Sequence, residues 1–316
     1  MRAALARPRQ RGVALITAVL IVALATLLAT QIGFDSALEQ RRSAAILTLD
    51  QAFQVGLGAE AWAAYYLKKD FEDDPKQDHL AERWATPIPP IPIDGGKIEG
   101  QLIDLQGRFN LNNLIDSQGQ EDPEAIREFT QLLGEIDLEP KWANIIVDWL
   151  DGDTNPKFPD GAEDSVYTSQ TPPYRTPNAP ITSISELLAL PDFGPERFAK
   201  LKPFVTALPV GTALNTCTAP GIVIDAMNDG TLEYGVDPES LARSRARHCF
   251  PTKNDLQAAF GPNYQKVETR LSETSQYFEL TALVTIGTTE FSLYSLLQRD
   301  PATGLVRPVM RSFGAE

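Results

Sequence analysis

An uncharged apolar run over residues 13–34, VALITAVLIVALATLLATQIGF, limits what this chain can be more than any other feature. As a helix its 22 residues reach about 33 Å, enough to cross a hydrocarbon core of roughly 30 Å. Arg2, Arg7, Arg9 and Arg11 precede it with no acid among them, and an acidic chain follows. The positive-inside rule then predicts a single-pass membrane protein with its amino terminus in the cytoplasm and everything beyond Phe34 exported. A cleaved secretory signal would need a shorter apolar core and a small-residue cleavage site, and Ala37 after Asp35 is a poor candidate for one.

Helical spacing continues beyond the membrane. Leu38, Ala45, Leu49, Phe53, Gly56 and Ala59 keep an apolar stripe without an intervening proline, predicting one helix of about 55 residues, roughly 80 Å long. Its outer half must bury that stripe on a partner or on a domain. Residues 71–96 mix charge with prolines and end in Gly95 and Gly96, a connector. KIEGQLIDL at 97–105 alternates like a strand. Short helices follow at 123–133, 139–150, 183–190, 195–205, 241–248 and 254–260, the first marked by Asp122 as a cap with Pro123 behind it. β-branched and aromatic runs at 277–286, 290–297 and 305–312, separated by turn residues, predict an antiparallel meander.

Charge and residue supply exclude several functions. With 28 Lys and Arg against 42 Asp and Glu, the net charge of −14 opposes wrapping a nucleic-acid backbone, so no nucleic acid is expected as a partner. Two histidines, His79 and His248, are too few for a multi-histidine metal site, and no nucleophile has a base beside it, so no enzyme activity is expected. Gly56, Gly58 and Ala61 match a dinucleotide fingerprint in form only, because no strand precedes them. Residues 187–205 look like a helix-hairpin-helix or SAM-like pair, yet Asp192 stands where a phosphate would approach, which favours packing.

The acids are densest at 148–164, DWLDGDTNPKFPDGAED, where six face Lys157 alone. Asp151, Asp153 and Asn155 match the start of an EF-hand loop, but Pro156 and Ala162 replace its glycine and bidentate glutamate. Oxygen ligands without His or Cys select a hard ion, so Ca²⁺ in an irregular loop is expected, with Asp151, Asp153, Asp160, Glu163 and Asp164 as carboxylate ligands. The two cysteines, Cys217 and Cys249, lie on the exported side, where one bridge worth about 3–4 kcal/mol is expected; two buried thiols are the alternative.

Arg11 and Gly12, placed just before the apolar run, resemble the class III leader of type IV pilins and pseudopilins. That resemblance implies cleavage after Gly12 by a prepilin peptidase and methylation of Val13. With GRFNLNNL at 107–114, DWLDGD at 148–153, PPYRTPNAP at 172–180 and SISELLALPDFGPERFAKLKPFVTALP at 183–209, the chain resembles the K-type minor pseudopilin of type II secretion systems over nearly its whole length. The implied fold is α+β and pilin-like: a long transmembrane helix plus an antiparallel sheet, with a large inserted α-helical, SAM-like domain. Its divisions are a leader at 1–12, a membrane half of the helix at 13–34, a periplasmic half and connector at 35–96, a first strand at 97–110, the insert at 111–265 and the meander at 266–316. The family implies calcium in the helical domain, I- and J-type minor pseudopilins as partners within the secretion machinery, and a tip position that initiates and caps the pseudopilus. Most pilins carry glutamate where this chain has Thr17, and a subunit with nothing ahead of it has no ammonium for such a carboxylate to meet, so Thr17 suits the tip. The runner-up function is a minor pilin of DNA uptake acting through its hairpin-like segment.

Overall fold

The computed structural model describes residues 11–229, 231 and 233–314, so most of the expected leader lies outside the described residues. Helix α1 runs unbroken over Arg11–Asp73, 63 residues and about 95 Å. Its residues are exposed almost without exception until Ala52, where packing begins along Ala52, Gly56, Glu60, Ala63 and Leu67 at three- and four-residue steps. The expected stripe thus splits: Leu38, Ala45 and Leu49 face outward, and only the part near Phe53, Gly56 and Ala59 reaches the domain. At Gly56 a Cβ would stand 3.2 Å from the Phe291 ring, so the missing side chain lets the helix lie close to the sheet.

Strands β1 (Ile88–Ile93) and β2 (Gly96–Asp104) follow the helix. Near the carboxyl end come β7 (Tyr277–Ile286), β8 (Thr289–Arg299) and β9 (Val306–Phe313), numbered after four two-residue strands in between. The five form one antiparallel sheet in the order β1-β2-β7-β8-β9. Strand β1 corrects the reading of 71–96 as a mere connector. Its prolines cannot donate to a ladder, but an edge strand needs donors on one side only, and a bulge between Ile88 and Ile91 absorbs the misfit. Phe278, Leu280, Ala282, Val284, Leu293 and Leu297 fill the space between sheet and α1.

The helical insert occupies residues 105–276, leaving from Asp104 and returning at Tyr277, next to each other in the register Asp104↔Phe278. It contains the parallel pair β3 (Phe109–Asn110) and β4 (Val205–Thr206), and the parallel pair β5 (Leu214–Asn215) and β6 (Leu271–Ser272). Because β6 belongs to the insert, the insert extends beyond the expected end at residue 265. Helices α2 (Pro123–Glu135), α3 (Lys141–Leu150), α4 (Asp164–Tyr167), α5 (Gly194–Leu201), α6 (Gly221–Ala226), α7 (Pro238–Ser244), α8 (Lys253–Phe260) and α9 (Tyr264–Val267) surround a separate core built on Phe129, Trp142, Tyr167 and Phe193. The segment at 183–190 is a 3-10 turn closed by a Ser183–Glu186 capping box rather than an α-helix.

GRFNLNNL acts as a zipper. Asn110 Nδ2 donates to Pro209 O at 3.0 Å, Asn112 Nδ2 to Ile181 O at 2.9 Å and Leu208 O at 2.8 Å, and Asn113 Nδ2 to Thr212 O at 2.8 Å. The insert meets the stalk in a buried polar clasp. Arg299 Nη2 donates to Asp78 Oδ1 at 2.5 Å and Ser275 O at 2.8 Å, while Nη1 reaches Leu67 O of α1 at 3.3 Å. Asn215 Nδ2 joins Asp78 O, Asp104 Oδ2 and Ser275 Oγ, each at 2.9 Å.

Candidate metal centre

Helix α3 ends at Leu150 because Asp151 turns extended as its cap, and α4 restarts the chain at Asp164 after Glu163. The loop between them is gathered by Asp148, fully buried on α3, whose oxygens accept from Lys157 N at 3.2 and 3.0 Å. Burial pushes Asp148 up to about 6, against the pull of the Lys157 amide. Asp151, Asp153 and Glu163 then converge, offering one carboxylate oxygen each, all within 4.8 Å of one another.

Asp151 and Glu163 are each 3% exposed, and Asp151 Oδ1 and Glu163 Oε1 have no hydrogen-bond partner. Burial raises Glu163 to about 7 with the charge of Asp148 adding to it, and raises Asp151 with help from Asp153. Two buried carboxylate oxygens left without donors, beside a third carboxylate, are what a cation would complete. Oxygen donors alone favour a hard divalent ion.

Of the five expected ligands, the loop brings these three together. Asp160 stands exposed and outside the group. Asp164 is outside the group too: it pairs with Arg175 at 3.3 Å and accepts from Thr176 N at 3.3 Å and Thr176 Oγ1 at 3.2 Å. Sequence reasoning missed the organising role of Asp148 and that of Thr176, whose Oγ1 lies 3.3 Å from Glu163 Oε2. A second acidic trio, Asp70, Asp78 and Glu82, belongs to the clasp: Asp70 and Asp78 face Arg299, and Glu82 accepts from His79 N and Trp84 Nε1.

Cys217 and Cys249 form a disulfide, which settles the open choice between a bridge and free thiols. Thr17 Oγ1 donates within its own helix to Val13 O at 3.1 Å and Ala14 O at 3.0 Å, so its hydroxyl is satisfied without a neighbour. Gly12 and Val13 lie in the first turns of α1. The hairpin-like segment is closed by packing: Phe193 is fully buried with its ring 5.0 Å from that of Trp142, and Arg197 is tied to Glu139 at 3.0 Å.

A family profile described as type II secretion system protein K matches residues 107–210. The type II secretion system protein K of Pseudomonas aeruginosa is 32% identical over 98% of this chain and 94% of its own. That of Klebsiella pneumoniae is 34% identical over 97% of each. Among solved structures, GspK in the crystal structure of the GspK-GspI-GspJ complex from enterotoxigenic Escherichia coli shares the fold, with a TM-score of 0.77 at 24% identity, covering 87% of this chain and 100% of that one. A long helix on an antiparallel sheet, a helical insert between adjacent strands, and relatives of this identity along almost the entire length agree: the chain belongs to the type II secretion system protein K family.

Proposed function

We propose that this chain is a minor pseudopilin at the tip of the type II secretion pseudopilus, a structural, non-enzymatic subunit that starts and caps its assembly so that folded proteins cross the outer membrane. The observation that carries the reading is the insert: residues 105–276 leave and rejoin the sheet at one point, Asp104 beside Phe278, adding a head too bulky for a further subunit to stack above it. A related protein forms a complex with GspI and GspJ, and I- and J-type minor pseudopilins are the partners proposed here. The apolar helix would anchor the subunit in the inner membrane with its arginines inside, and a prepilin peptidase would cut between Gly12 and Val13 and methylate the new terminus. The self-bonded Thr17 suits a subunit that meets no ammonium ahead of it.

The cation is calcium in this reading. Asp151, Asp153 and Glu163 would hold it, since an irregular loop of carboxylate oxygens suits its flexible shell. Bound calcium would neutralise the crowded carboxylates and fix the loop.

Co-expression with the I and J pseudopilins, followed by electron microscopy of the assembled fibre with this subunit labelled, tests the position. A label at one end supports the tip reading, and labels along the shaft with subunits on both sides overturn it. Mass spectrometry of the purified chain tests the processing: a methylated Val13 at the terminus is expected, and an uncut Met1 or a cut near Ala37 refutes it.

A further inference from the structure

An aromatic cluster adjoins the acidic group along the chain. Tyr167 closes α4, four residues after Glu163, and is fully buried. Its ring meets Trp149 edge-on at 5.1 Å and Tyr174 at 5.5 Å. The Tyr174 hydroxyl donates to Ala189 O at 2.5 Å, whereas the Tyr167 hydroxyl has no partner. A phenylalanine would fill the same space without burying an unpaired donor, and buried donors without partners are rare. The charged groups that bear on this hydroxyl are those of the site: Asp148 and Glu163 add, after burial and Tyr174, to the causes that raise its pKa. Glu163 Oε1 lacks a donor and Tyr167 lacks an acceptor, so the two deficits are complementary.

We propose that Tyr167 is the positioning residue of the cation site, its O–H donating to Glu163 Oε1 when an ion holds that carboxylate charged, directly or through one water. A ligating carboxylate must be fixed in direction as well as charged, and an outer donor does this for metal sites generally. Thr176 already binds the other oxygen, Oε2, from the opposite segment, so Tyr167 would complete the restraint of Glu163. This inference rests on the reading of the acidic group as a cation site.

The test uses the full chain in detergent and terbium as a luminescent stand-in for calcium, excited through nearby aromatic rings, with calcium competing it off. Wild type should give a saturable signal that calcium displaces. Tyr167→Phe should weaken calcium about tenfold, the lower end of what losing an outer-shell partner costs, with Trp149 still present to sensitise the signal. Its ion-free melting temperature should not fall, because only an unpaired hydroxyl is removed. Tyr174→Phe, whose hydroxyl is already satisfied by Ala189, should bind as wild type does. Wild-type affinity in Tyr167→Phe, or equal losses in both variants, overturns the role of Tyr167 while leaving the site standing. No saturable terbium or calcium binding to wild type overturns the site itself, and Tyr167 with it.

Discussion

Gly161 has no room for a side chain. A Cβ there would stand 2.2 Å from Lys157 N and 2.3 Å from Asp148 Oδ2, and the conflict is steric because the backbone is not left-handed. Lys157 N is also the donor to Asp148, so displacing it would leave a buried carboxylate without its partner. Gly161→Ala should therefore cost about 2 kcal/mol in denaturant unfolding and abolish any rise in melting temperature on adding calcium. An unchanged midpoint and an intact calcium response would refute this account of the loop. The acidity of this loop was legible in the sequence, but its division of labour was not. Six acids in 148–164 look alike in one dimension, and only the close of α3 at Leu150 decides that Asp148 turns inward while Asp160 remains in solvent.

At the scale of elements, the insert has its own core and its own covalent closure. Phe129, Trp142 and Phe193 belong to one cluster, while Leu67, Phe278 and Leu293 belong to another beneath α1. The disulfide joins residues 32 apart within the insert, so by loop entropy its removal should destabilise the insert by about 3–4 kcal/mol. Cys217→Ser with Cys249→Ser should show this as faster hydrogen exchange across α6 to α8, while β7 and β8 keep their protection. Equal loss of protection in the sheet would mean that the cores unfold as one unit. Which elements could be read from sequence follows from the same physics. The β7–β8 hairpin alternates buried and partly exposed residues along both strands, the signature that period-two reasoning detects. Strand β1 hid behind Pro89, Pro90 and Pro92, because strand rules count prolines against a run and its edge position is a property of the finished sheet. The parallel pairs β3–β4 and β5–β6 are two residues per strand and join segments far apart, so no local pattern announces them.

For the whole molecule, the consequential feature is the clasp, since it fixes the helical insert to the long helix and the sheet. Arg299, 3% exposed, binds Asp78 from the connector, Ser275 from the returning chain and Leu67 O from α1, between the rings of Phe278 at 5.0 Å and Phe71 at 5.5 Å. Arg299→Met would leave Asp78 buried without its cation, a loss of about 3–5 kcal/mol measurable by denaturant unfolding, and adding Asp78→Asn should recover part of it. The acids around the clasp also give stability a pH dependence. Burial, then the charges of Glu82 and Asp78, push Asp70 up to about 8 although Arg299 lies 3.7 Å away. Burial likewise lifts Glu82 to about 7 and Asp104 to about 6. Each group holds in the folded state a proton that the unfolded chain releases near its ordinary pKa. Unfolding free energy from these groups therefore falls as pH rises from about 4 to about 8 and levels off beyond. Asparagine at position 70 imitates the protonated acid at every pH. Asp70→Asn and wild type should melt alike near pH 4 and diverge steadily above it, the variant becoming the more stable by a few degrees at about pH 8. Parallel melting curves across that range would mean that Asp70 is charged in the folded protein and that Arg299 serves two anions rather than one.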